Sequence, residues 1–210
     1  MNQSEPIFFR VLNVIAAFIT LQLFWFFFSL GIITVIPATI AMYAVVLEWS
    51  KNGIELGIWK TFFHSFKYYF RRTLFLGLYV GGITFILALN ASILPALTGS
   101  HQLFMQAVWL FAVSIFLFTL LSIMPLVVTS HLKGLKLWKH AWIATFTILP
   151  DILLVGSIAV VFAAVSLYIP VALVALISLF AFIHMNIWQR AVKKLPQDFL
   201  DQCLLKYRYR

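Results

Sequence analysis

Charged side chains are scarce in this 210-residue sequence: 10% of the residues are Asp, Glu, Lys or Arg, and 63% are hydrophobic. A soluble domain of this size needs a largely polar surface, which so few charged groups cannot supply. Mean hydropathy is +1.02, and several apolar runs exceed the roughly 20 residues that a helix needs to cross a bilayer. The composition therefore excludes a soluble globular protein and predicts an all-α, polytopic transmembrane bundle.

Acidic residues are missing from the interior of the apolar runs. The six that occur lie at or beyond the ends of these runs: Glu5, Glu48, Glu55, Asp151, Asp198 and Asp201. Carboxylates within spans usually mark proton relays or ion paths, so their absence argues against a proton-driven pump or ion-coupled carrier. Asp151 follows Pro150 and opens an apolar run, which predicts an anion at a helix N-terminus. Contact with a ligand or partner is the alternative role for Asp151.

The sequence also lacks the residues of common catalytic and metal sites. Its single cysteine, Cys203, excludes an intramolecular disulfide and a multi-cysteine metal centre. No nucleophile elbow, HExxH motif, phosphate-binding glycine loop or catalytic carboxylate pair occurs. We therefore expect a non-enzymatic protein without metal or cofactor.

The apolar runs that are present predict six transmembrane spans. Their approximate ranges are 11–30, 33–50, 73–95, 103–129, 152–168 and 170–189. The first run, 11–49, is too long for one crossing and should break at Ser29–Gly31 or at Val35–Pro37, because glycine and proline weaken helices. The last run should turn at Tyr168–Pro170. A five-span alternative makes 11–36 one crossing and 37–50 a half-helix. In either case residues 1–210 form a single transmembrane domain.

Basic residues border the spans and predict the orientation. They lie in the connectors 51–72 and 130–151, in the tail 190–210, and at Arg10. In the six-span arrangement all 15 Lys and Arg and both termini face the cytoplasm, as the positive-inside rule favours. The five-span alternative leaves only Arg10 outside. The formal net charge of +9 is therefore assigned to anionic lipid of the inner leaflet of a bacterial cell membrane rather than to nucleic acid.

Two segments, at about 58–72 and 196–207, predict amphipathic helices that lie in the membrane interface. In the first, aromatic residues follow helical spacing and basic residues follow the same spacing one position later. The tail segment places apolar residues among basic ones, and docking on lipid or on a partner helix both remain open. The candidates for contact with lipid or a partner are Trp59, Lys60, Phe63, Phe66, Lys67, Phe70 and Arg71.

A few polar residues do fall in or beside the predicted spans. The candidates for intramembrane polar contacts are Gln22, Thr34, Asp151, His184 and Asn186. Hydrogen bonding between helices is the expected role of such side chains. A metal site would need further ligands, and no spacing of His, Asp or Glu supplies them.

The sequence contains a weak internal repeat. Trp59-Lys60, Leu74 and Gly77 match Trp138-Lys139, Leu153 and Gly156 at a constant offset. Each unit predicts a span, a basic interfacial helix and another span in the same orientation. Duplications of this kind are common in transport proteins.

Several motifs resemble the YesL family of bacterial membrane proteins. They are Leu21-Gln22-Leu23-Phe24-Trp25, then Thr34, Pro37-Ala38-Thr39, Ala41 and Tyr43, and finally Phe63-His64-Ser65-Phe66-Lys67-Tyr68-Tyr69-Phe70. Gln22 and Tyr69 stand where the family usually has Asn, and Gly31 and Ile36 replace the Pro and Gly of its turn. The likeness in length and hydropathy covers essentially the whole chain.

The resemblance implies an accessory role in the cell membrane, beside an ABC importer or its sensor. Members of the family are associated with carbohydrate uptake in Gram-positive bacteria, and the resemblance brings no catalytic residues. We therefore expect an accessory or partner subunit for the uptake of a solute, such as a carbohydrate. The alternative hypothesis is a substrate-binding membrane component of a small-molecule importer, which predicts a closed polar cavity near the outer leaflet. The sequence leaves the oligomeric state open.

Overall fold

A computed structural model describes residues 7–54, 57–96, 99–132, 134–168, 173–196 and Phe199. Seven α-helices occupy these ranges. They are α1, Ile7–Phe28; α2, Val35–Asn52; α3, Ile58–Ile93; α4, Ser100–Thr129; α5, Gly134–Thr147; α6, Leu149–Tyr168; and α7, Leu173–Ala191. Most of the predicted tail helix at 196–207 and most of the predicted turn at 168–170 lie outside the described residues.

Four of the described helices are long and apolar enough to cross a membrane, namely α1, α3, α4 and α6. The other two predicted spans correspond to α2 and α7, which have 18 and 19 residues. At 1.5 Å per residue these helices are about 27–29 Å long, close to the thickness of a hydrocarbon core. They are less apolar because α2 ends in polar residues and α7 contains His184, Asn186 and Gln189. The protein is thus a membrane-embedded helical protein.

The first apolar run breaks at Ser29–Gly31, one of the two predicted places. There α1 ends, a short 3₁₀ turn covers Ile32–Thr34, and α2 begins at Val35. The hydroxyl of Ser29 donates to the carbonyl of Trp25 at 2.6 Å. Pro37 lies in the first turn of α2, where its missing N–H removes no intrahelical bond. The single crossing 11–36 of the five-span alternative therefore does not form.

The boundary predicted at residue 72 does not exist. The amphipathic segment 58–72 and the span 73–95 form one continuous helix, α3, of 36 residues, which is about 54 Å long. No proline occurs between Ile58 and Ile93, so the helical hydrogen bonds continue without interruption. The basic segment is consequently a rigid extension of a span rather than a separate helix.

The second basic connector differs from the first. It forms a separate helix, α5, and α6 then starts at Leu149 rather than at the predicted residue 152. Pro150, which has no N–H to donate, lies in the first turn of α6; at the offset of the internal repeat its counterpart is Arg71. The two repeat units therefore differ at this proline.

The repeat glycines both lie where helices approach closely. A Cβ atom added at Gly77 would come within 3.6 Å of Ile36, and one at Gly156 within 3.3 Å of Phe118. Gly77 thus lets α3 approach α2, and Gly156 lets α6 approach α4. Small residues play this role at helix interfaces in membranes.

The first two helices pack as an antiparallel hairpin, and α2 makes further contacts with later helices. Phe18 meets Trp49, and the indole of Trp25 donates to Thr39 at 3.0 Å, which pairs α1 with α2. α2 also contacts α3, α4 and α7, and half of its residues are buried. The outward sides of the long helices are apolar, with Phe75, Leu103 and Phe111 about 70% exposed (76%, 71% and 69%). Lipid explains this surface, because water would make it costly.

Candidate functional site

A buried polar pair joins α2 to α7 at the centre of the bundle. The hydroxyl of Tyr43 lies 2.6 Å from Nδ1 of His184, although the residues are 141 positions apart. Both side chains are almost inaccessible, with exposures of 3% and 1%. Phe180 packs against the same imidazole, with ring centroids 5.6 Å apart. The pair therefore fixes the position of α7 against α2.

Two nitrogen atoms on the same face of α7 lack partners among the described residues. They are Nε2 of His184 and Nε1 of Trp188, which is one turn further along. Trp188 is 1% exposed. These atoms make this part of the core polar, while the surrounding side chains keep it closed.

Gln22 makes a contact between two helices. Its Oε1 accepts the backbone N–H of Ser178 at 2.9 Å, which links α1 to α7. Gln189 of α7 adds a second link, because its amide donates to the hydroxyl of Ser50 at 2.7 Å. Interhelical polar contacts thus connect α7 to both helices of the first hairpin.

Thr34 and Asn186 make local contacts instead. The hydroxyl of Thr34 donates to the carbonyl of Gly31 at 2.7 Å, within the turn between α1 and α2. The amide of Asn186 donates to the carbonyl of Phe182 at 2.9 Å, within α7. These hydrogen bonds stabilise a turn and a helix, and they join no two helices.

Asp151 lies in the first turn of α6. Its two carboxylate oxygens accept from Nζ of Lys194 at 2.9 and 2.8 Å. The lysine side chain is 62% exposed. This ion pair brings the segment after α7 to the start of α6.

The basic and aromatic sides of α3 have different environments. The basic side is exposed along its length, and its residues Lys60, His64, Lys67 and Arg71 are called the basic row. Trp59 and Phe63 are about half exposed (53% and 46%) and stack with ring centroids 5.7 Å apart. Both also meet rings of α1, because Trp59 lies 5.1 Å from Phe24 and Phe63 lies 6.3 Å from Phe28.

The remaining aromatic residues of this side pack inside the protein. Phe66 contacts Phe28 of α1 at 4.8 Å and Phe70 at 5.5 Å. Phe62 is fully buried between α1 and α3. Much of the aromatic side that was predicted to face lipid therefore packs against another helix. In the segment 58–72 the basic row is the side that stays exposed.

Arg72 connects the middle of α3 to the end of α4. Its Nη2 donates to the carbonyl oxygens of Ser130, at 2.9 Å, and of Leu132. Ser130 is the C-cap of α4 and Leu132 lies two residues further along, so Arg72 holds the segment after α4 against α3. Nε of Arg72 and the hydroxyl of Ser130 are buried and lack partners among the described residues.

A groove with a volume of about 600 Å³ lies between α3, the end of α4 and α5. Its α3 wall is formed by Tyr68, Arg71, Arg72, Thr73, Phe75, Leu76 and Tyr79. Its other wall comprises Val127, Leu132, Gly134, Leu135, Leu137 and Trp138. The groove is basic at one end and apolar at the other. Tyr79 and Trp138 meet edge to face at 4.9 Å.

The described residues do not bring together an obvious reactive or metal-binding centre. No group of three or more His, Cys, Asp or Glu residues among them could hold a metal ion. His184 pairs with a tyrosine, whereas Asp151 pairs with a lysine elsewhere. Two features of the described residues are candidates for binding a ligand or a partner. They are the basic row of α3 and the groove beside it.

Two residues that join distant helices, Tyr43 and Arg72, were not predicted from the sequence to do so. Tyr43 was noticed only as part of a family motif, and Arg72 only as one of several connector cations. Their partners lie 141 and 58 positions away, beyond the reach of periodicity. The one available signal was weak: a tyrosine within an apolar run indicates that its buried hydroxyl has a hydrogen-bond partner, but it does not indicate which residue that is.

Comparisons with known proteins test the family resemblance. Residues 18–91 match the family described as a protein of unknown function, DUF624. The chain is 27% identical to the uncharacterized protein YteU of Bacillus subtilis over 196 residues, which cover 90% of this chain and 86% of that protein. It is 38% identical to the uncharacterized protein YesL of the same organism over 63 residues, about 30% of each chain. These matches support a YesL/DUF624-type family for this chain.

The family match covers much of α1, all of α2 and nearly all of α3. It therefore includes Tyr43, Arg72 and the basic row of α3, whereas the match to YteU extends over almost the full length. No solved structure matches this chain.

Proposed function

We propose that this YesL-type protein is a non-enzymatic, six-span accessory or partner subunit of a carbohydrate-uptake system in the bacterial cell membrane. The observation that carries the proposal is the exposure of the basic row of α3, which consists of Lys60, His64, Lys67 and Arg71. The row lies on a helix whose opposite side packs against α1 and α2. A rigid helix thus presents a row of basic side chains to a partner.

The packing of α3 against α4 supports the proposal that both basic connectors lie on the same side of the membrane. Arg72 reaches the residues after α4, whereas Trp109, near the start of α4, donates to the carbonyl of Leu87 near the end of α3 at 2.9 Å. The two helices are therefore antiparallel, and both basic connectors lie at one end of this hairpin. By the positive-inside rule we assign that end, together with both termini, to the cytoplasm.

The row suits a partner with an acidic surface near the membrane. Opposite charges steer association and set the orientation of two surfaces. An importer or sensor subunit in the same membrane would meet the row at a fixed depth, because α3 is continuous with a span. The carbohydrate substrate is proposed from the resemblance to the YesL family, whose members are associated with such uptake.

A second candidate function is substrate binding within an importer. The groove of about 600 Å³ beside α3 favours it, since small-molecule sites usually measure about 300–1,000 Å³. However, the groove adjoins the basic connectors and is largely apolar, whereas a captured hydrophilic solute calls for a polar cavity near the outer leaflet. The accessory role therefore fits the described residues better.

Site-specific photo-crosslinking in native membranes tests the proposal. A photoreactive amino acid replaces Lys67 in the basic row, and a matched position, Phe111, which is 69% exposed on α4, serves as the control. We expect adducts with an importer or sensor subunit from position 67 and lipid adducts alone from position 111. Deletion of the protein should reduce carbohydrate uptake. Lipid adducts alone at both positions, together with unchanged uptake, would reject the accessory role.

A further inference from the structure

The groove beside α3 combines a cationic end with an apolar end along one helix. Arg71 and Arg72 lie at the first end, and Phe75, Leu76 and Tyr79 follow one to two turns later on the same face. Eight residues separate Arg71 from Tyr79, which corresponds to about 12 Å along the helix. A ligand that fits the whole groove must therefore carry a negative charge at one end of an apolar body.

The charge of the groove is not neutralised locally. None of the described residues that line it is acidic. Arg72 uses one terminal nitrogen to hold the carbonyls of Ser130 and Leu132, while its buried Nε has no partner among the described residues. The guanidinium of Arg72 also lines the groove, so it can offer a charge-assisted hydrogen bond to an oxygen atom of a bound phosphate group. Arg71 is exposed beside it and can provide a second charged contact.

The apolar end of the groove opens towards the lipid-facing surface of the protein. Phe75 and Leu135, which line opposite walls, are 76% and 80% exposed. The contact between Tyr79 and Trp138 connects the walls at the far end. An acyl chain could therefore enter from the bilayer and lie between the walls.

We propose that this groove binds one anionic glycerophospholipid, with its phosphate at Arg71 and Arg72 and an acyl chain between Phe75, Tyr79 and Trp138. Basic pockets between membrane helices are suited to anionic head groups. The C-terminal segment 200–210 of the chain is a poor occupant, because it carries Lys206, Arg208 and Arg210 and only one acidic residue, Asp201. The proposal does not depend on the accessory role.

Native mass spectrometry of the full chain in detergent, after removal of endogenous lipid, tests the site. The probes are dioleoyl phosphatidylglycerol, dioleoyl phosphatidylcholine and inorganic phosphate. We expect one high-affinity phosphatidylglycerol, weaker phosphatidylcholine binding and no comparable binding of phosphate. Equal affinity for the two lipids would show that the arginines do not select the ligand. Phosphate binding as tight as that of phosphatidylglycerol would show that the apolar end contributes nothing. Either result would overturn the proposal.

Two variants locate the binding within the groove. Arg71→Gln removes one charged contact and should weaken the first phosphatidylglycerol about tenfold, the loss expected for one charge-assisted hydrogen bond. Leu135→Glu places a carboxylate on the exposed wall and should weaken it similarly, without disturbing the core. The control is Lys193→Gln, an exposed cation after α7 that does not line the groove.

The control should bind phosphatidylglycerol with an affinity close to that of the unaltered protein. Circular dichroism and size-exclusion chromatography verify that each variant is folded. If both groove variants fold and retain the original affinity, or if Lys193→Gln weakens binding equally, the lipid is held elsewhere and the assignment is wrong.

Discussion

The hydroxyl of Tyr43 and Nδ1 of His184 are 2.6 Å apart in the core of the bundle and connect α2 to α7. The other ring nitrogen of His184 has no partner among the described residues. The imidazole therefore depends on Tyr43 for its one described hydrogen bond. This makes the pair a sensitive point of the fold.

Replacing Tyr43 by Phe should destabilise the protein by about 1–2 kcal/mol, because the change leaves a buried imidazole unpaired. Thermal unfolding in detergent measures the effect. The matched control is Tyr68→Phe, since Tyr68 is 62% exposed and its replacement should have little effect. In a double-mutant cycle, Tyr43→Phe and His184→Ala should together cost less than the sum of the single changes. Strict additivity would show that the contact contributes nothing.

Close approach between α4 and α6 should make Gly156 intolerant of larger residues. A Cβ atom at this position already lies 3.3 Å from the ring of Phe118, so Gly156→Leu should cost about 1–3 kcal/mol through overpacking. Gly82→Leu on α3 is the control, because a Cβ atom there meets open space. Unfolding midpoints in detergent should fall for position 156 and stay unchanged for position 82. Equal midpoints would mean that α6 does not pack on α4 as described.

The antiparallel packing of α3 and α4 predicts which residues share a side of the membrane. In a background with Cys203→Ser, single cysteines replace Lys67, Lys139 or His101, all of which are exposed. Positions 67 and 139 should react from the cytoplasmic side with a membrane-impermeant maleimide. Position 101, at the other end of the hairpin, should react from the outside. Labelling of positions 67 and 139 from opposite sides would contradict the described packing and the positive-inside assignment.

The ion pair of Asp151 and Lys194 should contribute little to stability. The lysine side chain is 62% exposed, and exposed pairs are worth about 0.2–1 kcal/mol. Asp151→Asn should therefore lower the unfolding free energy by less than about 1 kcal/mol, and high salt should reduce the difference further because it screens the pair. Lys193→Met, an exposed neighbour, serves as the control for loss of charge. A large loss that salt does not change would point to a ligand or partner at Asp151.

The α3 segment shows where local sequence signals were insufficient. The periodicity of its aromatic and basic residues correctly indicated a two-sided helix, but periodicity carries no information about what covers each side. Phe66 was expected to contact lipid or a partner, yet it packs against Phe28 of α1. The boundary at residue 72 was placed where charge ends, whereas a helix ends only where its hydrogen bonds are interrupted.

The sequence by itself determined that the protein is embedded in lipid, that it is helical, and that the first apolar run breaks after α1. These properties follow from local physical chemistry: long apolar runs partition into lipid, the bilayer requires backbone hydrogen bonds to close within the helix, and Gly31 and Pro37 weaken the helix locally. The tertiary structure alone decided that Tyr43 meets His184, that Arg72 holds the residues after α4, and that a groove opens between α3 and α5. Contacts between residues 58–141 positions apart depend on how whole helices pack, which no spacing along the chain specifies.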